Sequence, residues 1–284
     1  MDLTDIANIK KYLAAVGWRP GHGKRFGQNF LVNPEVIEHT IRALALTPDD
    51  TVLEIGPGLG VLTVVLAKHA GRVVAIEKDT QLIPVLKKNL SGLSNVTIIS
   101  TDALTVDPAS YKLRATSYVL AGNLAYSLAI PVIERFILDS AYAPTRAVFL
   151  IQKEVAERLA SPPGGSARSA ITVLLEAAAH CEIIAVVPRT DFYPEPDVDG
   201  AIIRITPRQS PKFQILNPTF SNFVFRLFRQ RRKQLVNSLR GVLPRAEHAG
   251  IPEALKSLRI NPKARPQELS LSQWQVLFGH FRSK

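Results

Sequence analysis

Short apolar runs alternate with helix-length amphipathic segments between residues 51 and 150. The run Thr51 to Ile55 is followed by glycines and then by Val61 to His69, which has the length and apolar spacing of a helix. Strands that alternate with helices are typical of an α/β protein with a parallel, doubly wound sheet. The same pattern predicts strands at Arg72 to Glu77, Val96 to Ser100, Tyr118 to Ala121 and Ala147 to Ile151, and helices at Gln81 to Leu90 and Ile130 to Asp139.

The pattern changes in the second half of the chain. The Pro/Gly/Ser-rich stretch Ser161 to Ser169 indicates a loop, and because a helical pattern resumes at Ile171 to Ala179, we interpret it as an insertion within the sheet domain. A last strand is expected at Ala201 to Thr206. We therefore predict a sheet domain at residues 1–207 and a small, basic, all-helical domain at residues 208–284, with helices at Thr219 to Arg240, Pro252 to Leu258 and Ser270 to Phe281.

The net charge and the cysteine content indicate which kind of partner and which cellular compartment fit this sequence. The 35 Lys and Arg residues exceed the 24 Asp and Glu residues, which gives a net charge of +11 and favours a polyanionic partner, either nucleic acid or an anionic membrane. Cys181 is the one cysteine of the sequence, so an intramolecular disulfide is excluded, as expected in a reducing cytosol.

The first residues of the chain do not resemble a secretory signal, because Asp2 and Asp5 stand where such a signal would be basic. We expect a cytoplasmic protein without a membrane span.

A glycine-rich loop follows the first predicted strand. Glu54 leads Gly56, Gly58 and Gly60 in the spacing E-x-G-x-G-x-G, and glycines there let the backbone approach a ligand closely. Such a loop by itself is compatible with a dinucleotide, a flavin, a mononucleotide or no ligand. Because the spacing differs from G-x-G-x-x-G and Pro57 interrupts it, the loop favours a ligand without a diphosphate.

Two acids end the next two strands. Glu77 is placed to accept both hydroxyls of a ribose, and Asp102 is placed to accept an adenine amino hydrogen. The alternative for Glu77 is an exposed strand-end acid paired with Lys78. Because the strand ends of a parallel sheet lie together, the combination predicts an adenosine cofactor without phosphate, namely S-adenosylmethionine.

A polar turn closes the fourth predicted strand, with the sequence Gly122-Asn123-Leu124-Ala125-Tyr126. The amide oxygen of Asn123 and a neighbouring carbonyl, that of Leu124, can accept both hydrogens of an exocyclic amine. Tyr126 would stack on the base. The alternative is a turn asparagine beside a core tyrosine.

Taken together, these segments resemble the ribosomal RNA adenine N6-dimethyltransferases of the KsgA/RsmA type and the related Erm resistance methyltransferases. The resemblance runs from Lys24 to about Leu239. The matching segments are Lys24 to Leu31 (KRFGQNFL), Glu54 to Gly60, Glu77, Asp102 to Leu104, Asn123 to Tyr126, Gln152 to Val155 (QKEV), Phe192 to Asp199 and Gln230 to Lys233 (QRRK).

The resemblance implies a Rossmann-like methyltransferase sheet and a role for each matching residue. Asn29 and Leu31 would cover the methionine end of the cofactor, and Asn123 would bridge the cofactor and the target amine. Tyr126 and Phe192 would sandwich the flipped base. No metal is implied. The expected cofactor-binding residues are Asn29, Leu31, Gly56, Gly58, Glu77, Asp102 and Asn123, and the expected catalytic residues are Asn123, Leu124, Tyr126 and Phe192.

Four positions depart from the family pattern. Ala125 replaces the usual proline of the Asn-Leu-Pro-Tyr tetrad, which frees the backbone angle φ and adds an N–H group. The other departures are Thr101, Ser127 and Gly200. We expect activity to be retained, because Asn123 and Tyr126 are present.

A basic helical segment is the expected RNA-binding surface. Basic residues surround an apolar stripe, and this density next to a base-methylating site favours phosphate binding over the alternative of a solvated basic face. A second basic patch spans His22 to Arg25. The stripe comprises Phe220, Phe223, Val224, Leu227 and Phe228, and the expected RNA-binding residues are Lys24, Arg25, Arg226, Arg229, Arg231, Arg232 and Lys233, with Arg240 nearby.

The leading hypothesis is dimethylation of N6 of two adjacent adenosines near the 3′ end of small-subunit (16S) rRNA, within a pre-assembled 30S particle, by a monomer. One alternative is Erm-like methylation of 23S rRNA, against which the QRRK segment and the tail to Lys284 argue. The other alternative is a ribosome-assembly factor with weak catalysis, which Ala125 keeps open.

Overall fold

A seven-stranded sheet forms the centre of the computed structural model, which describes residues 2–18, 28–139, 141–208 and 218–282. Two further short strands form a separate antiparallel ribbon. The strands are β1 (Phe30–Leu31), β2 (Thr51–Ile55), β3 (Arg72–Glu77), β4 (Val96–Ser100), β5 (Val119–Asn123), β6 (Arg146–Gln152), β7 (Ala179–Val187), β8 (Phe192–Tyr193) and β9 (Gly200–Pro207).

The strand order in the sheet is β4-β3-β2-β5-β6-β9-β7, and β1 pairs with β8 in the ribbon. Strands β4, β3, β2, β5 and β6 are parallel to one another, whereas β9 is antiparallel to β6. The predicted α/β class with a largely parallel, doubly wound sheet is confirmed. The order reverses between β2 and β5, and ligands bind at the carboxyl ends of the strands beside such a switch point.

Eleven α-helices are present within the described ranges. The predicted helix over Ile130 to Asp139 is observed as an α-helix that continues into a π-helical turn, Glu134–Leu138. The α-helices are α1 (Ile6–Ala15), α2 (Pro34–Leu44), α3 (Val61–His69), α4 (Ile83–Asn89), α5 (Ala129–Ile133), α6 (Lys153–Leu159), α7 (Ala170–Ala178), α8 (Pro218–Phe228), α9 (Leu235–Arg240), α10 (Ile251–Ser257) and α11 (Leu271–Arg282).

The prediction of one continuous helix from Thr219 to Arg240 is wrong. Helix α8 ends at Phe228, and Gln234 has an extended backbone (φ −62°, ψ 150°) before α9 begins. No apolar side chain lies between Phe228 and Leu235 in the sequence. A helical turn there would have no apolar face to bury, and short helices depend on such packing for their stability.

The central strands form a core that is closed to solvent. Val52, Leu53, Val74 and Leu120 are each 0% exposed. Strands that are covered on both faces read as continuous apolar runs, which is the pattern that identified them in the sequence. Helices α2 and α3 contribute Val36, Ile37, Leu44 and Leu66 to one apolar cluster that also contains Val52.

The chain divides into two compact units, residues 1–156 with 181–207, and residues 157–180 with 208–284. The sequence analysis assigned residues 157–180 to the first domain, whereas their contacts group them with the helical unit. Nearly every residue of α7 is buried. Arg168 donates to the carbonyls of Ser161 and Leu269, and Gly164 N donates to the carbonyl of Gln267. This segment therefore forms part of the core of the helical unit.

No helix in the described ranges is long and apolar enough to cross a lipid bilayer.

Candidate active site

A cavity of about 220 Å³ lies at the carboxyl ends of β2, β3, β4 and β5, beside the point where the strand order reverses. The structure brings to this one cavity residues that the sequence analysis selected from separate segments of the chain. Of the expected cofactor-binding and catalytic residues, it is lined by Asn29, Leu31, Gly56, Gly58, Glu77, Asp102, Asn123, Leu124, Tyr126 and Phe192.

The glycine loop forms one wall of the cavity. Gly56 and Gly58 have φ angles of 71° and 59°, a conformation that side chains with a Cβ rarely adopt. A Cβ on Gly58 would lie 3.3 Å from the ring of Phe30, and a Cβ on Gly56 would lie 3.8 Å from the backbone oxygen of Asn123. Glycine at these two positions keeps the loop close to its neighbours and leaves the cavity open.

Glu77 is buried at the end of β3, where it is 5% exposed. Its Oε2 accepts a hydrogen bond from Gly58 N at 2.9 Å, and its Oε1 accepts one from Asp79 N at 2.8 Å. Burial raises the pKa of Glu77, although these bonds oppose the shift. Each carboxylate oxygen can still accept a second hydrogen bond, which suits the two hydroxyls of a ribose. The alternative salt bridge between Glu77 and the Lys78 side chain does not form, because Lys78 Nζ pairs with Asp102.

Asp102 follows β4, and both oxygens of its carboxylate accept hydrogen bonds. Its Oδ2 lies 2.7 Å from Lys78 Nζ, and its Oδ1 accepts from Leu104 N at 2.9 Å. The hydrogen bond from Lys78 lowers the pKa of Asp102. The carboxylate therefore stays ionised at neutral pH and presents fixed acceptors to the cavity.

Asn123 ends β5 and has its side-chain amide fixed by a distant backbone group. Its Nδ2 donates to the carbonyl of Asn29 at 3.0 Å, while the next residue, Leu124, is anchored by its N–H to the carbonyl of Leu150 at 2.9 Å. In the part of the chain that the structure describes, neither Asn123 Oδ1 nor the Leu124 carbonyl accepts a hydrogen bond. Two acceptors on consecutive cavity-lining residues are thus available for an exocyclic amine.

Two aromatic side chains line the cavity with different degrees of burial. Tyr126 is 37% exposed, and partial burial raises the pKa of its hydroxyl. Phe192 is 8% exposed and pairs with Leu31 in the β1–β8 ribbon. A Cβ on Gly200 would lie 3.2 Å from the Phe192 ring, so the glycine that departs from the family pattern leaves space for this ring.

Glu54 is a cavity residue to which the sequence analysis gave no role. It is 1% exposed, and its Oε2 has no hydrogen-bond partner among the described residues. Burial raises the pKa of Glu54 to about 8, and the nearby charge of Glu77 adds to the shift. The signal available in the sequence was an acid inside the otherwise apolar run TVLEI. A buried carboxyl with an unbonded oxygen at this cavity is suited to a polar ligand group.

The expected RNA-binding residues of the helical unit surround α8, whose apolar stripe is largely buried. Phe220, Phe223, Val224 and Leu227 are at most 8% exposed, and Phe228 stacks on Trp274 with 5.8 Å between ring centroids. None of the basic residues around the stripe forms an ion pair with a carboxylate in the described ranges. The exposed or half-exposed members are Arg226, Arg229, Arg231, Arg232, Lys233 and Arg240, whereas Lys24 and Arg25 lie outside the described residues.

A family model and several known proteins match nearly the whole chain. Residues 22–281 match the family model described as ribosomal RNA adenine dimethylase. The chain is 35% identical to ribosomal RNA small subunit methyltransferase A of Latilactobacillus sakei, over 97% of this chain and 95% of the relative. It is 36% identical to the protein of the same name from Anoxybacillus flavithermus, again over 97% and 95%.

Two solved structures resemble the fold over 89% of this chain. A dimethyladenosine transferase from Plasmodium falciparum aligns with a TM-score of 0.76 and 25% identity, over 98% of its own length. The 23S rRNA methyltransferase ErmE aligns with a TM-score of 0.71 and 27% identity, over 100% of its length.

Proposed function

The chain belongs to the ribosomal RNA adenine dimethylase family, and on that premise we propose that it transfers methyl groups from S-adenosylmethionine to N6 of two adjacent adenosines near the 3′ end of small-subunit rRNA. The observation that carries the proposal is the convergence of Glu77, Asp102 and Asn123 at neighbouring strand ends around one cavity. The curated relatives at 35% and 36% identity, named for the small subunit, favour this substrate over the 23S substrate of the less similar ErmE.

The residues around the cavity fit the chemistry of the cofactor. Glu77 would hold the ribose hydroxyls and Asp102 the adenine amino group, because both acids line the cavity and each carboxylate oxygen can accept a second hydrogen bond. The buried Oε2 of Glu54, which has no partner among the described residues, supports a polar ligand at the same wall. Asn29, Leu31, Gly56 and Gly58 would enclose the methionine end. When bound, S-adenosylmethionine supplies an electrophilic methyl group.

Asn123 and Leu124 would orient the target amine. In the first transfer, Asn123 Oδ1 and the Leu124 carbonyl would accept one N6 hydrogen each, which would turn the nitrogen lone pair out of the plane of the adenine ring. In the second transfer one N6 hydrogen remains, and one of these two acceptors would hold it. The transfer would join N6 to the methyl carbon as the bond from that carbon to sulfur breaks, which would leave S-adenosylhomocysteine and release the N6 proton to water. A general base is not required, because the methylated ammonium is strongly acidic.

The aromatic residues would hold the target base. Tyr126 and Phe192 can stack on an adenine that has left its own helix, and extrusion of a stacked base costs a few kcal/mol. Adenosines in loops or at helix ends are therefore the favoured targets.

The helical unit, residues 157–180 with 208–284, would bind rRNA through the basic residues around α8. Exposed guanidinium groups that are not paired with carboxylates are available to phosphates. We further propose that the protein acts as a monomer on a pre-assembled 30S particle in the cytoplasm.

Methyl transfer to isolated ribosomal subunits tests the function directly. Small subunits from a strain that lacks the dimethyladenosines, and large subunits in parallel, are incubated with labelled S-adenosylmethionine, and the nucleosides are identified by mass spectrometry. We expect N6,N6-dimethyladenosine in 16S rRNA. Label in 23S rRNA would instead assign the Erm-like activity, and tight small-subunit binding without label would assign the assembly-factor role.

A further inference from the structure

A chain of side-chain hydrogen bonds connects the segment after α1 with the carboxyl end of β3. Trp18 Nε1 donates to Gln28 Oε1 at 2.9 Å, and Gln28 Nε2 donates to Asp79 Oδ2 at 2.8 Å. Both ends of the Gln28 amide are therefore hydrogen-bonded, and its donor end contacts a residue 51 positions later in the sequence. Because one end accepts and the other donates, its orientation is determined by its partners.

Asp79 transmits this arrangement to Glu77. Asp79 is 3% exposed, and its backbone N–H donates to Glu77 Oε1 at 2.8 Å. The other Asp79 oxygen, Oδ1, accepts from Gln81 N at 3.0 Å, so both carboxylate oxygens of Asp79 are bonded. The side chain of Asp79 thereby fixes the peptide that supports Glu77.

The apolar surroundings support the same geometry. Trp18 packs edge-on against Phe30, with 5.9 Å between ring centroids, and both belong to a buried cluster with Leu59 of the glycine loop and Leu82. The Phe30 ring lies against Gly58, whose N–H is the second donor to Glu77. The N–H groups of Gly58 and Asp79 both donate to the Glu77 carboxylate. Trp18, Gln28 and Phe30 thus support both of these donors.

We propose that Gln28 is a positioning residue for cofactor binding: through Asp79 it sets the orientation in which Glu77 receives the ribose hydroxyls. Trp18 acts one step further out, by fixing the amide of Gln28. The inference rests on the proposed function, because it takes Glu77 as the ribose acceptor. It predicts that loss of Gln28 weakens recognition of the ribose hydroxyls specifically, not of the cofactor in general.

The test compares two ligands on the full-length protein by isothermal titration calorimetry. One is S-adenosylhomocysteine, and the other is the same molecule without the ribose 2′- and 3′-hydroxyls. The variants are Gln28→Met, which keeps the length of the side chain without its hydrogen bonds, and Trp18→Phe, which keeps an aromatic ring without the N–H donor. Lys11→Met is the matched control, because Lys11 is exposed on α1.

We expect Gln28→Met to weaken binding of S-adenosylhomocysteine about tenfold, as is typical when a hydrogen bond to a charged group is lost. Binding of the dideoxy analogue should change less than about twofold. Trp18→Phe should show the same selectivity with a smaller loss, and Lys11→Met should bind both ligands like the wild type. If Gln28→Met does not fold, Trp18→Phe decides the question.

Two results would overturn the inference. An equal loss for both ligands would mean that Gln28, which itself lines the cavity, does not act through the ribose hydroxyls, and unchanged binding of both would mean that it has no role in recognition. Failure of the proposed function is a separate result, because it is measured on the wild-type protein: a missing cofactor site shows as binding of neither ligand, and a different role shows as absence of methyl transfer to 16S rRNA.

Discussion

The side-chain amide of Asn123 donates from Nδ2 to the backbone carbonyl of Asn29, 3.0 Å away and 94 residues earlier in the chain. A carbonyl can only accept, so this contact determines which end of the amide faces Asn29. The Oδ1 atom is left as an acceptor at the cavity. The N-terminal segment thus fixes the direction of the side chain expected to bind the target amine.

Asn123→Ala removes this acceptor, and we expect kcat to fall by about 100-fold or more, the size of effect seen when one directed hydrogen-bonding group is lost from an active site. Dimethyladenosine formation on small subunits measures the effect. The thermal unfolding midpoint serves as a control for folding. Methylation at the wild-type rate in Asn123→Ala would contradict the assignment of this site.

Tyr126→Ala tests base stacking separately from cofactor binding. Stacking of a base on an aromatic side chain contributes about 1–3 kcal/mol, so we expect KM for the small subunit to rise by about five- to 100-fold. Tyr126→Phe keeps the ring and should retain near-normal KM. The affinity for S-adenosylhomocysteine, measured by calorimetry, should not change in either variant. Equal defects in Ala and Phe variants would assign the effect to the hydroxyl instead.

Arg229 and Arg232 are exposed and form no ion pair with described residues, which makes them suitable probes of phosphate contacts. The double variant Arg229→Ala/Arg232→Ala should weaken rRNA binding and lower the slope of log K against log salt concentration by about 2, one for each lost contact. Filter binding between 50 and 200 mM salt, roughly the range in which such contacts act, measures the slope. Arg114→Ala, an exposed arginine of the sheet unit, is the control. An unchanged slope in the double variant would exclude these contacts.

Glu54→Gln tests the buried carboxyl by the pH dependence of stability. Burial raises the pKa of Glu54 from 4.5 to about 8, so the folded protein retains a proton that the unfolded chain has lost. This contribution to stability is complete below pH 4.5 and is lost as the pH rises toward 8. Glutamine cannot ionise, and the variant should therefore gain stability relative to the wild type as the pH rises, by on the order of a few kcal/mol. Urea unfolding of both proteins at several pH values between 5 and 9 measures the difference. Parallel pH profiles would contradict the prediction.

Ala125→Pro restores the residue that is usual in the family. The Ala125 N–H makes no hydrogen bond within the described residues, so proline removes none there, and the Ala125 carbonyl keeps its bond from Leu128 N at 2.8 Å. We expect stabilisation by about 0.4–1 kcal/mol, because proline restricts the unfolded chain. A fixed Leu124 carbonyl should also increase the ratio of dimethylated to monomethylated adenosine. Lower stability would show that the backbone at this turn is incompatible with proline.

The sequence by itself determined the sheet class and most of the polar positions at the strand ends. Glu77 and Asp102 could be selected because their signal is local: an apolar run of strand length is followed at once by an acid. In a parallel sheet the carboxyl ends of strands lie at one edge, so the convergence of these residues follows from the fold class. The same reasoning predicted that Asn123 lies near them.

Only the tertiary structure decided which groups contact each other. Lys78 pairs with Asp102 and not with its neighbour Glu77, the Asn29 carbonyl orients Asn123, and Gln28 joins Trp18 to Asp79. Residues 157–180 belong to the helical unit because their buried faces match the apolar surface there. The spacing of apolar residues in the sequence shows which side of a helix or strand is apolar. It contains no information on which distant surface covers that side, because this choice depends on packing between segments that are far apart in the chain.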